Sequence, residues 1–255
     1  MQINFTSHNI RLDNGTVTIP TKPDTWNNFP VFTATKRLLK LLFPGDKRGL
    51  RLADLGCLDG GYSVEFARMG FSVVGVEIRD SNLACCNYVK ENTNLPNLHF
   101  VKDNVWNIAN YGEFDVMFCT GLFYHIDRPK EFLRLLSSVT SKVLIINTHF
   151  STDNASRVYP LSDMQENEGI KGRWYSEFAN DEEFDNRENI NWNSWDNKSS
   201  FWVKREYLLQ EIKNAGFDLV FEQFDQLSPD IVTAMTTSDG YYKKFDRGTF
   251  IGIRS

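Results

Sequence analysis

Apolar residues along the chain recur with two distinct periods. From Thr33 to Phe43 (TATKRLLKLLF) they fall at helical spacing, and the run stops at Pro44-Gly45, which predicts a helix over 33–43. A regular alternation follows. Leu50–Leu55 reads as a short buried strand, then a glycine-containing turn, then a helix over Tyr62–Met69 ended by Gly70. Ser72–Glu77 (SVVGVE) is β-branched and reads as a buried strand, and Ser81–Glu91 as the helix after it. Further strands are predicted at Leu98–Val101, Phe114–Cys119 and Lys142–Thr148, with a helix over Pro129–Ser138 before the last of these. Near-continuous apolar strands that alternate with helices indicate a parallel sheet covered on both faces. The alternation resumes late, with a helix over Val203–Ala215 and strands over Phe217–Phe224 and Thr249–Arg254.

Two stretches break the pattern. Residues 1–30 are polar, with Pro20, Pro23, Pro30 and Trp26, and predict an extended arm; the expected organisation is an arm over 1–32 and one domain over 33–255. Between about 150 and 200 the chain is rich in Asn, acid and aromatic residues with no clean period. Disordered tracts are poor in aromatics, and this one holds Trp174, Tyr175, Trp192 and Trp195, so an ordered insertion or lid is expected after the fifth strand.

Composition narrows the class. The 255 residues are 41% hydrophobic and 24% charged, enough for one domain with a substantial core. With 28 basic and 33 acidic residues the net charge is −5, so no overall field draws the chain to nucleic acid. The four cysteines (Cys57, Cys85, Cys86, Cys119) form no CxxC, which disfavours a disulfide framework or a structural zinc site. Neither a signal sequence nor an apolar run of about 20 residues is visible, and a soluble cytoplasmic protein is expected. Aromatic residues, at 14%, are in surplus.

Chemistry concentrates where the strands end. In Leu52–Ser63 (LADLGCLDGGYS) a strand ends near Asp54, a turn holds Gly56, Gly60 and Gly61, and a helix follows. Glycines let the backbone pass close beneath a ligand, and a helix N-terminus offers unpaired N–H groups. Glu77 ends the second strand, where a carboxylate suits the two hydroxyls of a ribose. Asp103-Asn104 follows the third, and Thr120, Gly121, Tyr124 and His125 follow the fourth. Each has an ordinary reading as a tight turn or helix-start charge. Their recurrence at four successive strand ends points to a nucleoside-bearing ligand.

These residues resemble class I S-adenosylmethionine-dependent methyltransferases. The family's Asp/Glu-x-Gly-x-Gly-x-Gly element becomes Asp54-x-Gly56-x-Leu58-x-Gly60, with Leu58 in place of the middle glycine, and its acids after the second and third strands match Glu77 and Asp103. A dinucleotide fold would prefer GxGxxG, which is missing, as is a P-loop lysine. The resemblance implies a doubly wound, Rossmann-like α/β fold: a mostly parallel seven-stranded sheet with helices on both faces. It implies S-adenosyl-L-methionine as cofactor, held by Asp54, Gly56, Asp59, Gly60, Glu77, Asp103, Asn104, Thr120 and Tyr124. Gly121-Leu-Phe-Tyr124-His125 and Ser200-Phe-Trp202 look like a narrower subgroup; tRNA wobble-uridine carboxymethyltransferases and bacterial methyltransferases of glycan and secondary-metabolite pathways carry a related Tyr-His element, and the chain resembles the second group more.

The implied reaction is transfer of a methyl group to a small-molecule or glycan-type acceptor. A hydroxyl acceptor must lose its proton, for which a histidine is suited near neutral pH. His125 is the first candidate, though packing or pocket lining would also explain it, and His149 at the end of the fifth strand is the second. His8 and His99 read as surface or strand residues. In GRWYSE, Arg173, Trp174, Tyr175 and Glu177 suit a sugar, a carboxylate or a base, or a structural flap. The acid run Asp181, Glu182, Glu183 and Asp185 reads as a solvated loop, and no metal is expected. A tRNA-base-modifying enzyme and a non-catalytic cofactor-binding protein are the alternatives. No membrane partner is expected, nucleic acid is disfavoured, and the oligomeric state is open.

Overall fold

A computed structural model describes residues 3–227, 230–237 and 240–255. Helix α1 (Pro30–Leu42) comes first, with its proline at the first helical position, where a missing N–H costs nothing. Pro30 therefore opens the helix and does not belong to the arm. Then come β1 (Arg51–Leu55), α2 (Gly61–Arg68), β2 (Ser72–Glu77), α3 (Asp80–Glu91), β3 (Leu98–Lys102), β4 (Phe114–Thr120), α4 (Pro129–Ser138) and β5 (Thr140–His149). Three strands, β6 (Gln165–Asn167), β7 (Ile170–Ser176) and β8 (Ser199–Val203), make a separate antiparallel sheet, with α5 (Asp181–Asp185) between the last two. The chain ends with α6 (Arg205–Asn214), β9 (Leu219–Gln223), α7 (Ile231–Thr236), α8 (Tyr241–Phe245) and β10 (Arg247–Ile253).

The large sheet runs β3-β2-β1-β4-β5-β10-β9. Strands β1, β2 and β3 pair in parallel, with Asp54 opposite Gly75, while β10 pairs antiparallel with both β5 and β9. This is the expected doubly wound, seven-stranded fold with its insertion after the fifth strand. Among the described residues no helix is long and apolar enough to cross a membrane.

The chain divides into two compact units, Met1–Phe118 and Cys119–Ser255. In the first, Leu52, Ala53 and Leu55 of β1 and Val73 and Val76 of β2 are fully buried, as are Val64 and Phe66 of α2. The arm belongs to this core. His8, Asn9, Ile10 and Leu12 are buried, Arg11 bridges Val17, and Asn9 Nδ2 donates to the carbonyls of Lys22 and Asp24. His8 is therefore not a surface residue, whereas His99 is an exposed strand residue.

In the second unit the insertion is a small sheet, not aperiodic coil. Gly172 pairs with Val203 and Trp174 with Phe201. Val203 closes β8, so the helix predicted to begin there starts two residues later. The acid run forms the first turn of α5, capped by Asn180, whose Oδ1 accepts from Glu183 N at 2.9 Å.

Candidate active site

In the first unit the site grows from the turn after β1. Leu58 has φ 52° and Gly60 φ 83°, both left-handed. A Cβ on Gly60 would sit 2.7 Å from Phe100 Cζ, so glycine is required there. Asp54 is buried at the end of β1, where its Oδ2 accepts from Ser63 Oγ at 2.6 Å, and burial pushes its carboxyl up to about 7. Glu77 is buried at the end of β2. Its Oε2 accepts from Leu58 N at 3.0 Å, and its Oε1 from Ile78 N at 3.0 Å and Arg79 N at 2.9 Å. Burial raises its carboxyl above the usual range, against the pull of these donors. Glu77 thus locks the strand end to the turn while standing at the place expected for a ribose-binding acid.

Asp103 keeps partial exposure and accepts from Asn107 Nδ2 and Tyr111 Oη, both at 2.7 Å, which lowers its carboxyl. Asn104 spends its Oδ1 on Trp106 N at 3.0 Å, capping the short helix at 105–111. Asp59, expected at the cofactor, holds the arm instead: its Oδ2 accepts from the amides of Thr6, Ser7 and His8 at 3.1, 2.8 and 3.0 Å. Its Oδ1 is buried with no hydrogen-bond partner among the described residues. His8 was missed by sequence reasoning. Its Nδ1 accepts from Gly61 N at 2.9 Å, and its ring lies 4.0 Å from that of Trp26. Burial lowers it to about 3, so it stays neutral.

The second unit gathers the other candidates. His125 Nδ1 lies 2.8 and 3.0 Å from the two carboxylate oxygens of Glu177. The Tyr124 ring packs on His125 at 4.2 Å and on His149 at 4.6 Å. Trp202, buried at the heart of this cluster, stacks on His149 at 4.8 Å and meets Tyr159 and Tyr175 at 4.9 and 5.4 Å. Its Nε1 is a buried donor with no acceptor among the described residues. His149 Nδ1 lies 2.7 Å from the carbonyl of Phe245, which can only accept, so that nitrogen carries the proton. Burial, with the Arg247 charge adding to it, lowers His149 to about 3.

The remaining candidates divide. Thr120 Oγ1 is buried and unpartnered among the described residues. Arg173, expected at the substrate, gives its guanidinium to three backbone carbonyls, those of Thr152, Ser162 and Asp153 at 3.2, 2.8 and 3.1 Å. Trp174 packs edge-on against Phe201 at 5.0 Å. Trp202 falls among the aromatics expected in or beside the insertion, whereas Tyr159 and Arg247 were not expected at the site.

The family described as a methyltransferase domain matches residues 30–222. The N-terminal domain of EvdMO1, crystallised in the presence of SAH and D-fucose, is 20% identical over 97% of this chain and 90% of its own, with a TM-score of 0.67. An S-adenosylmethionine-dependent methyltransferase from Mesorhizobium loti gives 0.57 at 14% identity, over 90% of this chain and all of the other. The O-antigen chain terminator bifunctional methyltransferase/kinase WbdD of Escherichia coli is 28% identical over 107 residues, which are 38% of this chain and 15% of that protein. The ubiquinone biosynthesis O-methyltransferase of Rickettsia bellii is 27% identical over 113 residues, 43% of this chain and 46% of that one. The chain thus spans less than half the length of these curated relatives. Since the family match takes in well over half of its residues, the chain belongs to the methyltransferase domain family.

Proposed function

We propose that the chain is an S-adenosylmethionine-dependent methyltransferase that methylates a hydroxyl of a small-molecule or glycan-type acceptor. The observation that carries this reading is Glu77, a buried carboxylate at the end of β2 bonded to the amide of Leu58 in a turn where Gly60 has no room for a side chain. The amides of Leu58, Ile78 and Arg79 and the Asn82 side chain already engage this carboxylate, so a ribose binds by sharing its oxygens with these donors or by displacing one of them. Asp54 and Gly60 shape the same turn, and Asp103 is assigned to the adenine side. When bound, the cofactor supplies an electrophilic methyl on a sulfonium leaving group. The chain's own task is then to place an acceptor oxygen in line, exclude water and take one proton.

The second unit fits the acceptor side. Tyr124 and Tyr175, partly exposed and packed against the buried Trp202, are aromatic rings of the kind that bind sugars or aromatic rings. His125 takes the hydroxyl proton as the oxygen–methyl bond forms. His149 is neutral with Nδ1 protonated, leaving Nε2 as an acceptor for a second hydroxyl. The relatives support this acceptor class: their names cite an O-antigen chain and ubiquinone biosynthesis, and the EvdMO1 domain was crystallised with a sugar present. The narrower kinship through the GLFYH and SFW segments belongs to the same proposal, as does a cytoplasmic setting.

Titration calorimetry with S-adenosylmethionine and S-adenosylhomocysteine tests it. Binding is expected for both, weakened at least ~30-fold in Glu77→Gln, which loses the charged acceptor. No heat with either compound would overturn the reading.

A further inference from the structure

Both histidines expected to serve catalysis are buried, but their Nδ1 partners differ. His149 faces a neutral carbonyl, that of Phe245. His125 faces a carboxylate, with Nδ1 2.8 Å from Glu177 Oε1 and 3.0 Å from Oε2. That carboxylate is held from other directions too. Ser200 Oγ donates to Oε1 at 2.6 Å, and Ser194 N donates to Oε2 at 3.0 Å. The backbone is fixed as well, Glu177 N donating to the carbonyl of Lys198 at 2.9 Å and its own carbonyl accepting from Asn193 Nδ2. The Glu177 side chain has no exposed surface, whereas the His125 side chain retains 10%. Whatever reaches this pair from outside meets the imidazole.

We propose that Glu177 is not a substrate contact but the positioning residue of a His125 general base. An ionised carboxylate can only accept, so Nδ1 carries a proton in the pair and Nε2 is left with the lone pair that takes the acceptor's proton. As that proton arrives, the carboxylate stabilises the imidazolium. The donors from Ser194 and Ser200 keep the carboxylate oriented. They also tie the base to β8 and the turn before it, so the three-stranded sheet at 165–203 sets the imidazole's orientation. In its lone strand, GRWYSE gave no sign of this, because the partner lies 52 residues away.

The inference rests on the methyltransferase reading, but its test stands apart. Histidine-labelled full-length chain is examined by ¹⁵N NMR at neutral pH, with His125→Gln assigning the signals. His125 is expected as a single Nδ1-protonated tautomer, and Glu177→Gln is expected to give a mixture, with Glu177→Asp restoring part of the preference. Labelled methyl transfer to catechol or a methyl fucoside is the second readout. In Glu177→Gln kcat should fall, by at most the ~10²–10⁴-fold that a general base contributes, with an unchanged KM for S-adenosylmethionine. An Nε2-protonated His125 in the unsubstituted chain overturns the proposal even if the variants fail to fold, as would tautomer and turnover both unchanged in a folded Glu177→Gln. Failure of the unsubstituted chain to bind the cofactor would strike the methyltransferase reading alone.

Discussion

Asp54 Oδ2 accepts the Ser63 hydroxyl hydrogen at 2.6 Å, so an acid at the end of β1 is tied across the glycine turn to the first turns of α2. Burial lifts that acid to about 7. In the unfolded chain an aspartate titrates near 4, so between pH 4 and 7 the folded state holds a proton that the unfolded state has released. Asp54 therefore subtracts stability as pH rises through this window. Asp54→Asn keeps an acceptor for Ser63 and removes the titration. Its stability relative to the unsubstituted protein should improve from pH 4 to pH 7 by up to about 4 kcal/mol, then level off. Urea unfolding at several pH values checks this, and a difference that does not vary with pH would exclude a buried acid.

His8 and His149 act with the opposite sign. Both are lowered to about 3, mainly by burial. Below about 6.5 the unfolded chain binds protons that the folded one refuses, so each removes stability as pH falls. His8→Asn, which keeps an acceptor for the Gly61 amide, should shrink the loss between pH 7.5 and pH 5 by about 2 kcal/mol. The same denaturation series gives the number.

The central strands are legible in the sequence because they are buried on both faces: Ser72–Glu77 reads directly from SVVGVE. The insertion is not, because its information sits in one turn. Asn167 pairs with Ile170 across Glu168 and Gly169, which have φ 53° and 77°, the double positive φ of a two-residue hairpin. Glycine announces half of that turn, while glutamate conceals the rest. The Glu168 carboxylate is further engaged by the amides of Lys130 and Glu131 at 2.7 and 3.0 Å, in the first turn of α4. For the site, the acids and glycines at the strand ends were readable, being local. His8 on Gly61 and Glu177 on His125 were not, since each needs a partner more than 50 residues away.

Gly172, in the middle of β7, faces β8 with no room to spare. An added Cβ would lie 2.5 Å from both Phe201 Cε1 and the carbonyl oxygen of Trp202. Backbone cannot rotate away, so Gly172→Ala should cost about 1–3 kcal/mol, as overpacking does. Thermal unfolding measures it. Gly169→Ala, with open space around its Cβ but φ 77°, reports strain without the clash.

Trp202→Phe separates packing from recognition. The indole N–H is buried without a partner among the described residues, and phenylalanine removes that orphan donor while retaining an aromatic face against His149. Stability is expected to change by less than about 1 kcal/mol. An indole N–H that donates to the acceptor shows itself as an acceptor KM raised about tenfold with cofactor affinity unchanged, whereas a packing role leaves both unchanged, as steady-state kinetics and calorimetry would show.

Three amides of the arm end on Asp59, and the imidazole of the same segment ends on Gly61. Segment and turn are therefore linked in the thermodynamic sense, and linkage is reciprocal. Any ligand that stiffens the turn tightens the grip on residues 6–8, and anything that loosens those residues is felt as a faster escape of the ligand. Sequence change in residues 6–8 thus acts on the glycine turn without altering the turn's own residues.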